Sequence, residues 1–405
     1  MAGLLRARAS RRRRPLLYLH IGAMKTGTTY LQRLLEASSD DLQAQGVLFP
    51  GRTWNDQHLG VREILFDSDD PEVIAKTEGR WGALVREVHD HPGRASVISM
   101  EYLSYVEEER ARTVLDSFDG FEVHVILGIR DAERGLPAQW HTAVTNGSRL
   151  TLQKLVRGAR YVRHGKHSPT GRGSHLFQRT QGIPRMLETW TPLVGPDRMH
   201  VLTVPAGGSD PAVLWDRFAD IIDVQPGQAS LPTSVANPSL GHCSTELVRR
   251  INVALGPVPP VDYWQVVRDR FAYGPLRARS DQEQPIRLHR PGVRLAREWN
   301  GVVRDAVTDL GVQVSGTLED LPVGPVDPDL PTRLYSPTPE DLLAAAGTAY
   351  DGLLDLRAEL SEAAGEPEPT RVAHGRWDAT ADPVEAAVAE IVGQLRECLA
   401  LRQRC

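Results

Sequence analysis

Near its beginning the chain changes hydrophobic period within twenty residues. Positions 16–21 are almost continuously apolar (Leu16, Leu17, Tyr18, Leu19, Ile21), a polar turn runs from Gly22 to Thr29, and apolar residues then recur at Leu31, Leu34 and Leu35. An unbroken apolar run fits a strand buried on both faces, and i, i+3, i+4 recurrence fits a helix. The turn is therefore a helix N-terminus. Unpaired backbone N–H groups, the positive end of the helix dipole, the hydroxyls of Thr28 and Thr29 and the ammonium of Lys25 converge there, a combination that suits phosphate or sulfate. Gly22 and Gly27 carry no Cβ, so the main chain can come close to the anion. A Walker A loop has its lysine directly after the last glycine, whereas Lys25 precedes Gly27, which disfavours a kinase or GTPase P-loop. The plainer alternative is an ordinary strand-to-helix connection with a solvated lysine.

The same alternation of strand and helix continues. After Gly46, Pro50 and Gly51 a loop is expected to hold Trp54 and His58, and a helix to span 71–88. A short strand around Ala95, Val97 and Ile98 follows, with Glu101 just past its end. Positions 121–129 form the most apolar strand and finish at Arg130 and Asp131; another strand is expected over 199–204, after helical spacing at 186–190. Strands separated by helices imply βαβ units, hence an α/β fold with a P-loop-like parallel sheet flanked by helices on both faces. Ligands of such sheets sit beyond the carboxyl ends of the strands. Lys25, Glu101 and Arg130 each follow a strand, so one crevice can collect them. Pro137 is costly inside a helix and well placed in its first turn. The next helix is thus expected to begin near Leu136, with Leu136, Trp140 and Val144 on one face and its N-terminus beside Arg130 as a second anion site.

From Val323 a connector rich in proline leads to two amphipathic helices. The first is capped at Thr338-Pro339-Glu340-Asp341 and carries Leu342, Ala346, Ala349, Leu353, Leu356 and Leu360. The second starts at Asp382-Pro383 and carries Val384, Val388, Ile391, Leu395 and Cys398. Such stripes suit a helical hairpin packed on its own domain, or a homodimer made through the C-terminal helices. The expected division is a disordered basic tail (1–14), an α/β domain (15–322), and the connector with its helical appendage (323–405).

Composition adds two points. The net charge is −5, and only four of the 47 basic residues are lysines, so Lys25 stands out from an arginine-rich background. The stretch 134–187 has no acidic residue but ten Arg and Lys, together with His141, His164, His167 and His175. Glycines and prolines around 163–175 read as a loop, one whose positive charge would attract an anionic ligand or screen the charge of one bound nearby. The tail's arginines leave weak nucleic-acid or membrane attraction as a minor reading; no nucleic-acid partner is expected. No apolar run reaches the roughly 18 residues of a membrane span. Cys243, Cys398 and Cys405 lie far apart in no metal-ligand spacing, which fits a reducing cytoplasm and no metal site.

The segment HIGAMKTGTTYLQ resembles the 5′-phosphosulfate-binding loop of sulfotransferases that use 3′-phosphoadenosine 5′-phosphosulfate (PAPS), particularly the bacterial, actinobacterial-type members. The resemblance runs from about residue 16 to 322, through LETWTPLVGPDRMHVLTVP, LWDRFADII, NPSLGHCSTELVRRIN and GTLEDLP. It implies the sulfotransferase fold and a PAPS site without metal. Gly22, Thr26, Gly27, Thr28 and Thr29 would hold the 5′-phosphate, Lys25 would stabilise the leaving group, and Arg130 would take the 3′-phosphate. That last motif has a serine eight residues after the arginine; here it is Ala138. Adenosine 3′,5′-bisphosphate would be the product. Related enzymes place a general base either in the loop after the first helix or at the end of the next strand, which leaves His58 and Glu101 as alternatives. The acceptor is a small molecule or glycan (carbohydrate, glycolipid or natural product). Two other functions remain open: a non-catalytic nucleotide-binding protein on the same fold, and a P-loop nucleotide phosphotransferase.

Overall fold

The computed structural model describes residues 14–165, 171–225, 239–367, 370–371, 373–375 and 377–404. Most of the expected basic tail, His167 and Cys405 lie outside these residues. The chain's contacts group it into two compact units whose segments alternate along the sequence: unit 1 takes residues 1–130, 182–232 and 302–321, and unit 2 takes 131–181, 233–301 and 322–405.

Unit 1 contains six parallel strands: β1 (Leu16–Gly22), β2 (Val47–Leu48), β3 (Ala95–Ser99), β4 (Glu122–Ile129), β5 (Met199–Thr203) and β6 (Gln313–Ser315), in the order β2-β3-β1-β4-β5-β6. Six of the seven residues of β1 are fully buried, because both faces are covered. On one face Tyr18, Val97, Ile126 and Leu202 pack with Leu31, Leu34 and Leu35 of α1 (Thr28–Ala37) and with Leu214, Trp215 and Phe218 of the helix Ala212–Ile221. The helix Ile183–Val194 contacts β4 and β5 but takes no part in that cluster, and so covers the opposite face with Met186, Leu187 and Trp190. At the carboxyl end of β5, Asp320 accepts from Thr203 Oγ1 and Arg217 Nη1, both at 2.7 Å, which compensates the burial of its charge.

Three expectations are corrected in unit 1. The helix expected over 71–88 is two helices, Pro71–Thr77 and Arg80–Asp90, because Gly79 adopts a left-handed conformation between them. Trp54 and His58 lie on a helix, Trp54–Leu65, and not in a loop; Thr53 caps it by accepting from Asp56 N. The strand expected over 121–129 starts one residue later.

Unit 2 is helical. Helix Ala132–Thr145 begins at its cap Asp131 and encloses Pro137, so it does not begin near Leu136. Helices Leu152–Arg163 and Arg172–Gln181 cross at glycines: a Cβ on Gly158 would lie 2.3 Å from Gly173 C, and one on Gly173 2.4 Å from Lys154 O. The basic loop is therefore shorter than expected, since Gly173 and His175 belong to a helix. Buried Asn252 donates to Val144 O and Ser148 O and accepts from Tyr263 Oη, tying helix His242–Leu255 to its neighbours. The C-terminal helices Pro339–Ala363 and Pro383–Arg402 pack on each other, on His242–Leu255 and on the π-helical stretch Tyr263–Leu276. Leu342, Leu353, Leu360, Val388, Ile391 and Leu395 are all buried within the chain, so packing inside unit 2 accounts for both stripes. Among the described residues no helix is long and apolar enough to cross a membrane.

Candidate functional site

β1 lies between β3 and β4, so the three strand ends expected to carry Lys25, Glu101 and Arg130 are immediate neighbours in the sheet. The chain leaves β1, visits β2 and β3 on one side and returns as β4 on the other; the end of β1 is thus a switch point, where the crevice of an open α/β sheet lies.

The loop from Gly22 to Gly27 is held tightly. Ala23 N donates to Gly128 O at 2.7 Å, and Thr26 Oγ1 donates to Ala23 O at 2.6 Å, so the Thr26 hydroxyl is already used inside the loop. Gly22, Lys25 and Gly27 have φ of 93°, 66° and 84°. Glycine takes this left-handed region freely, whereas a lysine there is strained by about 1–2 kcal/mol. Gly22 also permits a close approach: a Cβ on it would stand 2.9 Å from Glu101 Cβ. A Cβ on Gly27 would stand 2.5 Å from Leu214 Cδ2. No side chain caps α1 at Gly27, so its first amides have no side-chain acceptor, and Thr28 and Thr29 are its first residues. Thr28 is buried and Thr29 exposed.

Arg130 Nη1 donates to Lys25 O at 3.4 Å. Burial first, and then the Arg130 guanidinium, hold the Lys25 ammonium below the ordinary lysine value; the carboxylate of Glu101 acts in the opposite direction. Lys25 is therefore within electrostatic reach of both Arg130 and Glu101. Glu101 opens a 3₁₀ turn, Glu101–Tyr105, and accepts from Gln32 Nε2 at 3.0 Å.

His58 approaches the same turn from the helix Trp54–Leu65. Its ring stacks on Trp54 at 4.9 Å and 12°, and meets the ring of Tyr102, the residue after Glu101, edge-on at 5.7 Å. Burial, and next the charge of Arg62, hold the imidazole below its ordinary value, so it is neutral at neutral pH. Both base candidates thus border Tyr102.

Two glutamines do positioning work that sequence reasoning missed. Gln32 is 3% exposed and fixes the Glu101 carboxylate while also donating to Ser99 O. Gln57 is fully buried; it accepts from Ser99 N at 2.7 Å and donates to Pro50 O at 3.0 Å, which pins the His58 helix to the end of β3. Their partners at Ser99 and Glu101 lie 42 to 69 residues away along the chain, and no local pattern encodes them.

The second expected anion site fares differently. The first-turn amides of helix Ala132–Thr145 are occupied: Ala132 N donates to Asn300 Oδ1, and Arg134 N and Gly135 N donate to the side chain and carbonyl of Asp131. Asp131 is 4% exposed and its carboxylate sits where an anion was expected. That helix N-terminus already carries a carboxylate of its own. Ala138 lies on the same helix, on the wall of a cavity of about 470 Å³ in unit 2.

Chemically, the unit 1 site offers two cationic side chains, uncapped helix amides and two threonine hydroxyls against a single carboxylate, a donor-rich set that fits a phosphorylated or sulfated ligand. No protein-family model and no curated protein matches the chain. Among solved structures, a sulfotransferase from Alicyclobacillus acidocaldarius is similar, at 14% identity and a TM-score of 0.36, over 64% of this chain and 96% of that one.

Proposed function

We propose that the chain is a PAPS-dependent sulfotransferase acting on a hydroxyl or amine of a small-molecule or glycan acceptor. One observation carries this reading: Lys25, in an anion-ready loop at the end of an inner strand, stands beside a cation and a carboxylate supplied by the two flanking strands. In this reading the amides from Thr26 to Thr29 and the hydroxyls of Thr28 and Thr29 hold the 5′-phosphate, and Arg130 takes the 3′-phosphate. PAPS supplies the sulfuryl group. Transfer of this kind asks the protein for in-line positioning and for charge stabilisation at the leaving oxygen. Lys25 provides the second, since its ammonium neutralises the phosphate oxygen released as the S–O bond breaks. The acceptor's proton goes to a base, for which the neutral imidazole of His58 and the carboxylate of Glu101 are the two candidates. Gln32 and Gln57 keep those candidates in place.

A second reading is a nucleotide-binding protein without catalysis. It draws on the missing hydroxyl at Ala138 and on the Asp131 cap, which leave Arg130 without the hydroxyl and the free helix amides expected beside it. Calorimetry with adenosine 3′,5′-bisphosphate and with ATP separates sulfotransferase from phosphotransferase: tighter binding of ATP with a magnesium requirement would sink the first. Labelled PAPS offered to an acceptor panel separates enzyme from binder. Transfer that survives Lys25→Ala unchanged refutes the role given to Lys25.

A further inference from the structure

In unit 2 the connector rich in proline is fastened down. Arg290 N donates to Pro331 O at 2.7 Å, Arg290 Nη1 to Pro328 O at 2.8 Å, and Asn300 Nδ2 to Pro322 O at 2.8 Å. So fixed, the connector walls two cavities of about 640 Å³ and about 500 Å³ that share His289, Arg333 and Tyr335. Both volumes fall in the range of small-molecule sites.

The charges lining these cavities are unevenly satisfied. Arg279 is paired with Glu283, whose carboxylate also accepts from Ser244 N and Oγ. Asp341 is engaged by Thr338, and Glu246 by Arg249 and Arg250. Arg287 and Arg333 have no carboxylate within ion-pair distance among the described residues. Two imidazole nitrogens, Nδ1 of His242 and Nδ1 of His289, are buried without a hydrogen-bond partner, and both histidines line the smaller cavity. His242 is 4% exposed, held between the rings of Trp140 and Tyr335. Buried polar atoms are almost always bonded, and both of these unbonded nitrogens belong to side chains that line one cavity. Leu288, Leu330, Pro331 and the 42% exposed ring of Tyr335 supply an apolar part of the wall of the larger cavity.

We propose that unit 2 binds a small organic anion with an apolar or aromatic body. Its acidic group (carboxylate, sulfate ester or phosphate ester) meets Arg287 and Arg333, its body lies on Leu288, Leu330 and Tyr335, and a polar substituent meets His242 and His289. None of these residues belongs to the Lys25 loop, and the inference stands independently of sulfuryl transfer.

The test is calorimetry on the full chain with naphthyl phosphate, naphthyl sulfate, naphthoate, the neutral naphthalenemethanol and inorganic phosphate. The expected result is that at least one naphthyl anion binds with one-to-one stoichiometry, and that the neutral alcohol and inorganic phosphate bind roughly tenfold or more weakly, as loss of a charge-assisted pair or of apolar burial requires. The three anions distinguish carboxylate from ester ligands. Arg287→Gln with Arg333→Gln, at exposed positions where folding can be checked by circular dichroism, is expected to weaken the anion roughly tenfold, and Arg287→Lys with Arg333→Lys to restore part of it. Saturating adenosine 3′,5′-bisphosphate is expected to leave binding unchanged. Absence of binding up to about 1 mM, the weak end of ligand affinity, would overturn the proposal. So would equal affinity for the neutral alcohol, indifference to the glutamine substitutions, or displacement by adenosine 3′,5′-bisphosphate, which would assign the probe to the Lys25 loop.

Discussion

Lys25 carries two separable costs, and two substitutions separate them. Its φ of 66° lies in the left-handed region, which costs an L-residue about 1–2 kcal/mol. Alanine keeps the Cβ and the cost; glycine removes it, while losing about 0.5–1 kcal/mol to the greater freedom of the unfolded chain. Lys25→Gly is therefore expected to be more stable than Lys25→Ala by about 0.5–1 kcal/mol. The second cost is electrostatic. Burial and Arg130 both lower the lysine pKa in the folded state, so the charged ammonium opposes folding below the unfolded pKa and the penalty fades as pH rises through the folded value. Both variants lose that penalty and its pH dependence. Binding should move the other way. A unit charge about 4 Å from a phosphate contributes about 4 kcal/mol at an effective dielectric of about 20. Desolvation and screening at this half-buried group reduce it to about 1.5–3 kcal/mol, or roughly 10- to 100-fold in affinity. Urea titrations of the three proteins from neutral to alkaline pH, with calorimetry of adenosine 3′,5′-bisphosphate, measure both quantities. If Lys25→Ala proves as stable as Lys25→Gly, the loop is not held left-handed; if either variant keeps the nucleotide affinity, the site is not where the ligand's phosphate lies.

Gly128→Ala would place a Cβ 2.7 Å from Thr26 Oγ1 and 3.2 Å from Gly22 O. It should lower stability by about 1–3 kcal/mol, as overpacking does, and weaken nucleotide binding further by pushing the loop; a thermal melt and calorimetry on the same sample check both. Stability should also fall as the solution is acidified. Burial holds His20 at about 3 and His200 at about 4 in the folded protein, both below the unfolded value of about 6.5. The unfolded chain therefore takes up protons that the folded one refuses, and stability, complete above about pH 6.5, declines towards pH 4. His20 alone accounts for about 2 kcal/mol by pH 5. A urea midpoint that stays flat from pH 7 to pH 5 would contradict this, and His20→Asn should remove much of the slope. For the base, Glu101→Gln and His58→Asn should differ: the variant lacking the true base should lose roughly 100-fold or more in kcat, the other changing activity several-fold at most. Equal modest losses from both would mean that neither removes the proton.

What was legible in the sequence is what short-range chemistry decides. The change of period at Gly22 places β1, the loop and α1, and the parallel strands bring Lys25, Glu101 and Arg130 to one edge because β3 and β4 flank β1. The helix carrying His58 was also readable, since Thr53 and Asp56 form a local cap ahead of the apolar positions. Gly79 could have been recognised as the break between two helices. Gly173 could not, because its purpose is contact with a helix whose Gly158 lies fifteen residues earlier, and in the sequence alone such a glycine looks like a turn. Gln32 and Gln57 were invisible for the same reason: a buried amide serves distant backbone groups, and nothing near it in the chain announces them.

The contrast between the two expected anion sites has a cause that is itself local. Both were inferred from a helix starting just after a strand. α1 is preceded by Gly27, which offers no side chain, and its first amides stay open to a ligand. The helix Ala132–Thr145 is preceded by Asp131, whose carboxylate accepts from Arg134 N and brings its own negative charge to the positive end of the dipole. Pro137 drew attention to a helix start four residues too late, whereas the strongest N-cap residue in the segment was Asp131, directly after Arg130. Preference for aspartate at an N-cap therefore does more than mark where a helix begins: it says that the helix has already supplied its own anion. An uncapped glycine start with a lysine two residues before it says the opposite, which is why the loop at Lys25, and not the turn after Arg130, is the place to look for the 5′-phosphate of the proposed nucleotide.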